Sequence, residues 1–274
     1  MWEPGVMFWG DRDDLATLRG FGVHTGQLGV SGTMAVDEAA AEHWKSAIGK
    51  AGFTIVTVVA AYEGEDYADI PTVERTVGFI PAATRAEREK RTLAISDFAA
   101  RLGVNSIACH VGFVPEDPAD PDYAAVRDLV RRICDHAAKH SQTFALETGQ
   151  EPANVLKRFI ADVNRPNLRI NFDPANLILY GSGEPIPALR ELAPLVVSVH
   201  CKDGDWPPPG QPGALGKERP LGKGSVGIEK FIATLKEIGF PGPLNVEREA
   251  ENPEERLRDM AEGIALVRRI ISAQ

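Results

Sequence analysis

The sequence predicts an α/β protein, a (β/α)8 barrel, from three observations. Short apolar runs of strand character alternate with helical patterns through the 274 residues. Within these runs the bulky apolar side chains take one phase and the small or polar ones take the other. Four of the runs end on a residue able to bind a metal: Glu147, Asp173, His200 and Glu247. Alternating strands and helices argue for parallel pairing with crossovers. Eight such units argue for closure, which brings the strand C-termini to one face, where barrel active sites are built.

The elements follow in chain order. Strands are expected at 5–9, 22–30, 53–60, 104–110, 143–148, 168–173, 195–202 and 243–248. The gap between the first two leaves room only for a stunted helix. Ile95, Phe98, Ala99 and Leu102 recur at i, i+3, i+4 and i+7, and Gly103 stands where a helix-ending residue belongs. Val126, Leu129, Val130 and Ile133 repeat that spacing. Pro152 suits the first turn of a helix through Val155 and Phe159. Leu257, Ile264, Val267 and Ile271 mark a closing helix. Two longer segments break the rhythm, about 61–81 and about 203–225, the second rich in Pro and Gly. Both follow strand C-termini and are expected as lid loops over the site. With no repeat, linker or low-complexity tail, residues 1–274 read as one domain.

The strand phase is the argument for closure that needs no motif. Leu244 and Val246 oppose Asn245 and Glu247; Val197 and Val199 oppose Ser198 and His200. Leu168, Ile170 and Phe172 oppose Asn171 and Asp173; Phe144 and Leu146 oppose Ala145 and Glu147; Ile107 and Cys109 oppose Ser106, Ala108 and His110. Side chains alternate faces along a strand. The bulky phase therefore packs outward under helices, and the phase that carries the ligands faces the barrel interior. A doubly wound sheet buries both faces and tolerates such polar residues poorly.

Hydrophobic content of 43% and charged content of 25% are those of an ordinary soluble protein. A formal charge of −9 repels phosphate backbones, so nucleic acid is not expected as a partner. Cys109, Cys134 and Cys201 form no C-x-x-C pair, which fits a reduced, cytoplasmic protein. Cys109 and Cys201 read as buried small hydrophobes. The N-terminus lacks the basic and apolar regions of a secretory signal. The most apolar stretch, 55–61, is too short to span a bilayer, so no membrane partner is expected.

Two glutamates, an aspartate and an imidazole make an oxygen-rich site for one divalent metal ion. Mn2+ or Mg2+ suits it, and Co2+ or Zn2+ also fits. A cation with open positions chelates a carbonyl and its neighbouring hydroxyl, then stabilises the enediolate left when the carbon between them loses a proton. Glu147 and Glu247 lie three strands apart around the ring and can flank a small substrate as base and acid. Return of the proton to the opposite face inverts a stereocentre; return to the adjacent carbon moves the carbonyl. Taken singly, Asp173 before Pro174 reads equally well as a helix N-cap. The shared inward phase of all four residues points to the metal site.

Other residues carry two readings each. His110, inward at the end of the fourth strand, is a substrate contact or a buried structural imidazole. Lys202 reaches a substrate oxygen or pairs at the strand end, with Asp203 as partner. Trp9 is an apolar wall of the site or part of the core. Arg219 is a substrate contact or a solvated loop charge. His24 lies in the second strand with no role assigned. His43, His136 and His140 fall on helices and read as solvated. The turn Leu221-Gly-Lys-Gly224 lacks P-loop spacing and reads as turn chemistry before the helix at Ile228. No Ser-His-Asp arrangement or dinucleotide fingerprint is present.

At these residues the chain resembles the xylose isomerase-like barrel superfamily, in particular its sugar-phosphate isomerase/epimerase branch. The pieces are Ala-Leu-Glu147-Thr, Asn-Phe-Asp173-Pro-Ala-Asn, Val-His200-Cys-Lys-Asp, Leu-Gly-Lys-Gly224-Ser-Val and Gly-Phe240-Pro-Gly-Pro-Leu-Asn-Val-Glu247. The resemblance covers most of the chain and is strongest from Ala145 onward. It implies one divalent metal on Glu147, Asp173, His200 and Glu247, with the two glutamates shuttling the proton. It implies an isomerase or epimerase of a small ketose or related polyhydroxy carbonyl compound, assembled as a homodimer or homotetramer. Ketose epimerases of this type commonly place a substrate-contacting histidine three residues after the aspartate. Here that position is Asn176, whose amide can hydrogen-bond a hydroxyl but cannot carry a proton. The departure keeps open a lyase or dehydratase acting on an oxidised sugar or inosose. Outside catalysis, a sugar-binding barrel without turnover stays open too. The superfamily also holds endonuclease IV-type DNA repair enzymes, and His110, Glu147, Asp173, His200 and Glu247 match part of their site. Against that reading, Asn176 replaces a needed histidine and no Asp-x-His pair follows His200. The lack of a phosphate-binding motif points to a free sugar or polyol.

Overall fold

Alternation along each strand sorts the side chains before any helix packs. The computed structural model describes residues 2–273; Met1 and Gln274, the ends of the expected domain, lie outside the described residues. The strands are β1 (Pro4–Trp9), β2 (Thr25–Val30), β3 (Thr54–Ala60), β4 (Ser106–Cys109), β5 (Thr143–Glu147), β6 (Leu168–Phe172), β7 (Val196–Cys201), β8 (Asp203–Asp205), β9 (Lys217–Arg219) and β10 (Leu244–Val246). All but β8 and β9 close into a barrel in the order β1-β10-β7-β6-β5-β4-β3-β2, with parallel pairing. The helices are α1 (Leu15–Gly20), α2 (Glu38–Ala51), α3 (Ile70–Thr76), α4 (Arg85–Arg101), α5 (Pro121–Ala138), α6 (Ala153–Val163), α7 (Pro174–Leu179), α8 (Pro185–Leu192), α9 (Ile228–Glu237) and α10 (Pro253–Ser272). Among the described residues, no helix is long and apolar enough to cross a membrane.

Local chemistry sets the helix ends. Asp37, Asp120 and Asn252 cap α2, α5 and α10 through side-chain oxygens, and Pro121 and Pro253 open the latter two. Gly103, at φ 76°, follows the end of α4. The first crossover helix, α1, is six residues long, the stunted unit that the spacing predicts. Pro152 precedes α6 instead of entering its first turn.

Two packed regions follow from the strand phase. Phe144, Leu146, Ile170, Phe172, Leu244 and Val246 join the core between barrel and helices. Each such side chain contributes about 1.5–3 kcal/mol by burial. Met7, Val59, Ala108 and Ala145 form a small separate cluster from the inward phase. The rest of the interior is polar: Gln27, Asn171, Ser198 and Asn245 are all buried. Val197 departs from the expected phase. Ile170 pairs with Val196 and Asn171 with Ser198, so a bulge skips Val197, which packs against the inner cluster instead. The second strand starts at Thr25, which leaves His24 outside it and exposed. Cys109, Cys134 and Cys201 are free and buried.

Both long segments contain structure that their composition hides. Helix α3 sits in the first. In the second, β8 and β9 pair as an antiparallel ribbon. The glycine-rich turn at its base has an internal anion. Asp203 Oδ1 accepts from the backbone N–H groups of Gly204 and Val226, at 2.9 and 3.0 Å, and Oδ2 accepts from Gly222 and Gly224, at 2.9 and 3.1 Å. A Cβ on Gly224 would stand 2.4 Å from Asp203 Oδ1, so glycine is required there. Asp203 thus fills the cradle that Leu221-Gly-Lys-Gly224 forms, and Lys202 takes other partners. Asp203→Ala should lower stability by about 3 kcal/mol in urea titration, because the buried donors lose a charged acceptor, and Asp203→Asn should cost less.

Candidate functional site

Strand ends bring four side chains to one point. Glu147 closes β5, Asp173 follows β6, His200 lies near the end of β7 and Glu247 follows β10. Each offers a donor atom within 4.8 Å of the others, and all four residues are buried. His200 Nδ1 stands 3.3 Å from Glu147 Oε1, 3.4 Å from Asp173 Oδ2 and 2.7 Å from Glu247 Oε2. Asp173 divides its two oxygens. Oδ1 caps α7 by accepting from Ala175 and Asn176 N–H groups at 2.7 and 3.0 Å, while Oδ2 faces the cluster. The helix-cap and cluster readings of this residue therefore hold together. The Thr148 hydroxyl fixes the Asp173 backbone, bonding its N–H and its carbonyl at 2.8 Å each.

The barrel interior orients the imidazole. His200 Nε2 lies 2.9 Å from Gln27 Oε1 and 3.1 Å from Asn171 Nδ2, which fixes the ring with Nδ1 turned to the carboxylates. Asn171 ties the rest together. Its Oδ1 accepts from Gln27 at 3.2 Å and Ser198 at 2.6 Å, and its Nδ2 donates to Glu147 Oε2 at 3.3 Å. Asn176 Nδ2 donates to Glu147 Oε1 at 3.0 Å. His110 Nε2 lies 3.4 Å from the same oxygen.

Burial and charge compete here. Burial opposes charge on His200, yet Glu247 and Glu147 outweigh it and raise its proton affinity well above the usual imidazole range. Burial opposes charge on Lys202 as well, yet Glu247 and Asp173, 3.4 and 3.8 Å from Nζ, keep it an ammonium. Burial would raise the Glu147 carboxyl, but His110 and His200 hold it well below the carboxylate range. Asp173 Oδ2, His200 Nδ1 and Glu247 Oε2 are buried and face one another, with no further hydrogen-bond partner. Buried polar atoms normally find partners outside such a cluster, so this convergence of donor atoms fits a site for a divalent cation. Glu147, Asp173, His200 and Glu247 could hold it.

Glu147, His200 and Glu247 of the cluster line a cavity of about 360 Å³, near the lower end for small-molecule sites, with Asp173 buried behind them. His110, Asn176, Lys202 and Trp9 line it. Both long segments border it, through Ala61 and Tyr67 from one and Leu215, Gly216 and Glu218 from the other. Trp9 Nε1 donates to Glu249, and Arg12 stacks over the Trp9 ring at 5.5 Å.

Arg219 is a correction. It does not line the cavity but pairs with Asp205 at 2.6 Å, because neighbouring residues of β9 face opposite ways and Glu218 takes the cavity side. His136 and His140 are solvent-accessible, as expected, and both rings also turn to Asp97, a partner the sequence does not indicate. The sequence assigns no site role to Gln27, Tyr67, Tyr180, Glu218 and Glu249, and places Asn171 inward without naming its partners. Gln27 shares the inward phase that marks the ligands.

Comparison with known proteins supplies the relatives. A family profile described as a xylose isomerase-like TIM barrel matches residues 16–270. A xylose isomerase domain protein from Planctomyces limnophilus is 42% identical with TM-score 0.94, covering 98% of this chain and 97% of that one. A xylose isomerase-like TIM barrel protein from Mycobacterium smegmatis, solved in complex with magnesium, is 16% identical with TM-score 0.74, covering 100% and 97%. A D-allulose 3-epimerase from Methylomonas sp., solved with D-allulose, is 15% identical with TM-score 0.69, covering 98% and 96%. Other solved structures alike in fold include a 3-keto-D-glucoside 4-epimerase and a probable 3-DHS dehydratase. The likenesses near 15% identity show the fold alone. An uncharacterized protein of Methanocaldococcus jannaschii is 23% identical over 172 residues, 57% of this chain, and the chain spans little more than half, 56%, of that relative.

Two outcomes follow from this geometry. Gln27→Leu removes a side chain that orients the His200 ring, so calorimetric Mn2+ affinity should fall about 10–100-fold with the fold intact. Glu151, buried beyond β5 with Oε1 on the Val114 N–H at 2.9 Å, has its carboxyl pushed up by burial to about 8. The folded state thus binds its proton more tightly than the unfolded chain, so this contribution is full below about pH 4.5 and is lost as pH rises through 8. Glu151→Gln should flatten the decline of Tm between those pH values by a few degrees, measured by calorimetry against the parent.

Proposed function

The chain belongs to the xylose isomerase-like TIM barrel family, and from that membership we propose that it is a divalent-metal-dependent isomerase or epimerase of a small ketose or related polyhydroxy carbonyl compound. The observation that carries the reading is the convergence of Asp173 Oδ2, His200 Nδ1 and Glu247 Oε2, buried and facing one another, with Glu147 beside them. Glu147, Asp173, His200 and Glu247 would hold the cation, with Mn2+ or Mg2+ preferred. When bound, the cation supplies Lewis-acid stabilisation of the enediolate charge and acidifies the carbon that loses its proton.

The chain's own residues do the rest. Glu147 is ionised at neutral pH, the form that accepts a proton, and Asn176 and Asn171 fix its two oxygens. Glu247 stands across the cluster as the second proton carrier, held by Lys202. Trp9 and Tyr67 wall the cavity and exclude water; His110, Asn176 and Lys202 present polar atoms to substrate oxygens. Segments 61–81 and 203–225 act as lids, joined where the Ile70 N–H donates to the Gly213 carbonyl at 2.9 Å. No arginine lines the cavity among the described residues, and Lys202 is already paired. An uncharged sugar or polyol therefore suits the site better than a phosphorylated one.

A second reading has its own support. His110 lines the cavity beside Glu147 and could protonate a departing hydroxyl, which turns the same proton abstraction into a dehydration. Loss of water by mass spectrometry separates this lyase from an isomerase.

Exchange of a substrate C–H proton with deuterated water, over a panel of ketoses with Mn2+ or Mg2+, tests the proposal. Glu147→Gln and Glu247→Gln should each lower exchange by roughly 10³-fold while leaving the circular dichroism spectrum unchanged. Exchange at the parent rate in either variant would rule out the two-carboxylate mechanism. Asp173→Ala should lower the metal content, read by elemental analysis. Sugar binding with no exchange under any of these conditions would mean a binding barrel without turnover.

A further inference from the structure

We propose that Asp97, His136 and His140 form a second cation site, for borderline transition ions such as Zn2+, Co2+ or Ni2+. It lies on the outside of the barrel, at the end away from the cavity. Asp97 comes from α4, His136 from α5, and His140 from the turn after α5 that leads into β5. That turn enters β5 at Thr143, whereas Glu147 closes the strand at the opposite face. The site is therefore separate from the buried centre.

The donors are already gathered. His136 Nε2 lies 2.7 Å and His140 Nε2 2.9 Å from the same atom, Asp97 Oδ1. The two rings stand 5.6 Å apart at 67°. All three donor atoms fall within 4.8 Å of one another, and this is one of only two such groups among the described residues. Ligand atoms on one tetrahedral ion sit about 3.3 Å apart, given metal–ligand bonds near 2.0 Å. The two Asp97–histidine contacts need to open by only about half an ångström around an ion. Partly exposed side chains can make that adjustment, and solvent can fill a fourth position.

Spacing and donor type set the selectivity. The imidazoles come from the last turn of α5 and from the turn just beyond it, which brings both to the same carboxylate oxygen. Two neutral imidazoles and one carboxylate favour Zn2+, Co2+ and Ni2+ over the hard ions Mg2+ and Mn2+, which prefer all-oxygen sets. The Nε2 atoms face the Asp97 carboxylate, an acceptor, so each carries a proton there; on binding, that proton leaves Nε2, to Nδ1 of the same ring or to solvent, and frees the lone pair for the ion. The ion would then clamp α4 to α5. The carboxylate-rich centre at the other end serves either class of ion.

The test is metal stoichiometry on the full chain. Elemental analysis after equilibration and gel filtration should give two Zn2+ per parent chain, and one for either His140→Ala or Asp173→Ala. The double variant should retain none. With Mn2+ the parent should bind one ion, and His140→Ala should not change that number. His140→Ala and His136→Ala should each weaken the outer Zn2+ site at least tenfold in calorimetry. They should also abolish that site's share of the zinc-driven rise in Tm, while Mn2+-supported turnover stays at the parent rate. Two outcomes overturn the site: a single Zn2+ in the parent that Asp173→Ala removes, or unchanged Zn2+ number and affinity in both histidine variants. If Asp173→Ala keeps two Zn2+ while His140→Ala loses one, the buried centre fails and the outer site stands.

Discussion

Closing parallel strands into a ring leaves a single interior, and every second residue must share it. In this barrel that interior is largely polar, and its amides are tied to one another, to neighbouring side chains and to the backbone. Asn171 is the hub. Its oxygen gathers Gln27 and Ser198, and its nitrogen reaches Glu147. Gln27 in turn occupies one nitrogen of His200 and leaves the other to the carboxylates. The cluster at the mouth is thus built from below. Remove the amides and the imidazole has no reason to present Nδ1.

Charge explains why such a cluster suits a cation. Three buried carboxylates within a few ångströms would repel one another severely in a low-dielectric interior. A protonated His200 and the Lys202 ammonium offset them. A divalent cation offers more positive charge at the same point, but it must displace the His200 proton, so binding is linked to pH and to folding. The mouth above is made of loops, yet it is braced. Arg248, just past β10, pairs with Glu218 on the ribbon at 3.1 Å and with Asp259 on α10 at 2.9 Å. The wall carrying Glu218 is therefore tied to the closing helix.

Much of this was legible in the sequence because strand alternation is a rigid rule. Glu147, Asp173, His200 and Glu247 share the inward phase, and the barrel brings inward strand ends together. The rule fails where the backbone breaks it: the bulge at Val197 turns that residue inward, and nothing in Val-Val-Ser-Val-His200 announces it. Arg219 was misplaced because the ribbon depends on pairing with Asp205 across a proline-rich loop, which no local pattern reveals. Asp203 was unreadable for a similar reason, since its partners lie some twenty residues along the chain. His136 and His140 look like solvated helix residues until α4 brings Asp97 beside them.

Asn176 is where local structure and chemistry meet most closely. Its N–H is held by Asp173 Oδ1 and its side chain holds Glu147 Oε1, so one turn of α7 fixes both a cluster oxygen and the proposed base. An imidazole at this position could donate a similar bond, but it would add a titrating charge beside a carboxylate that already faces His110 and His200. The amide gives the same orientation with no proton to exchange. Proton traffic on the proposed pathway is then confined to Glu147, Glu247 and, where a hydroxyl departs, His110. A neutral positioning group next to the base leaves the choice between isomerisation and elimination to whether His110 can reach a leaving oxygen.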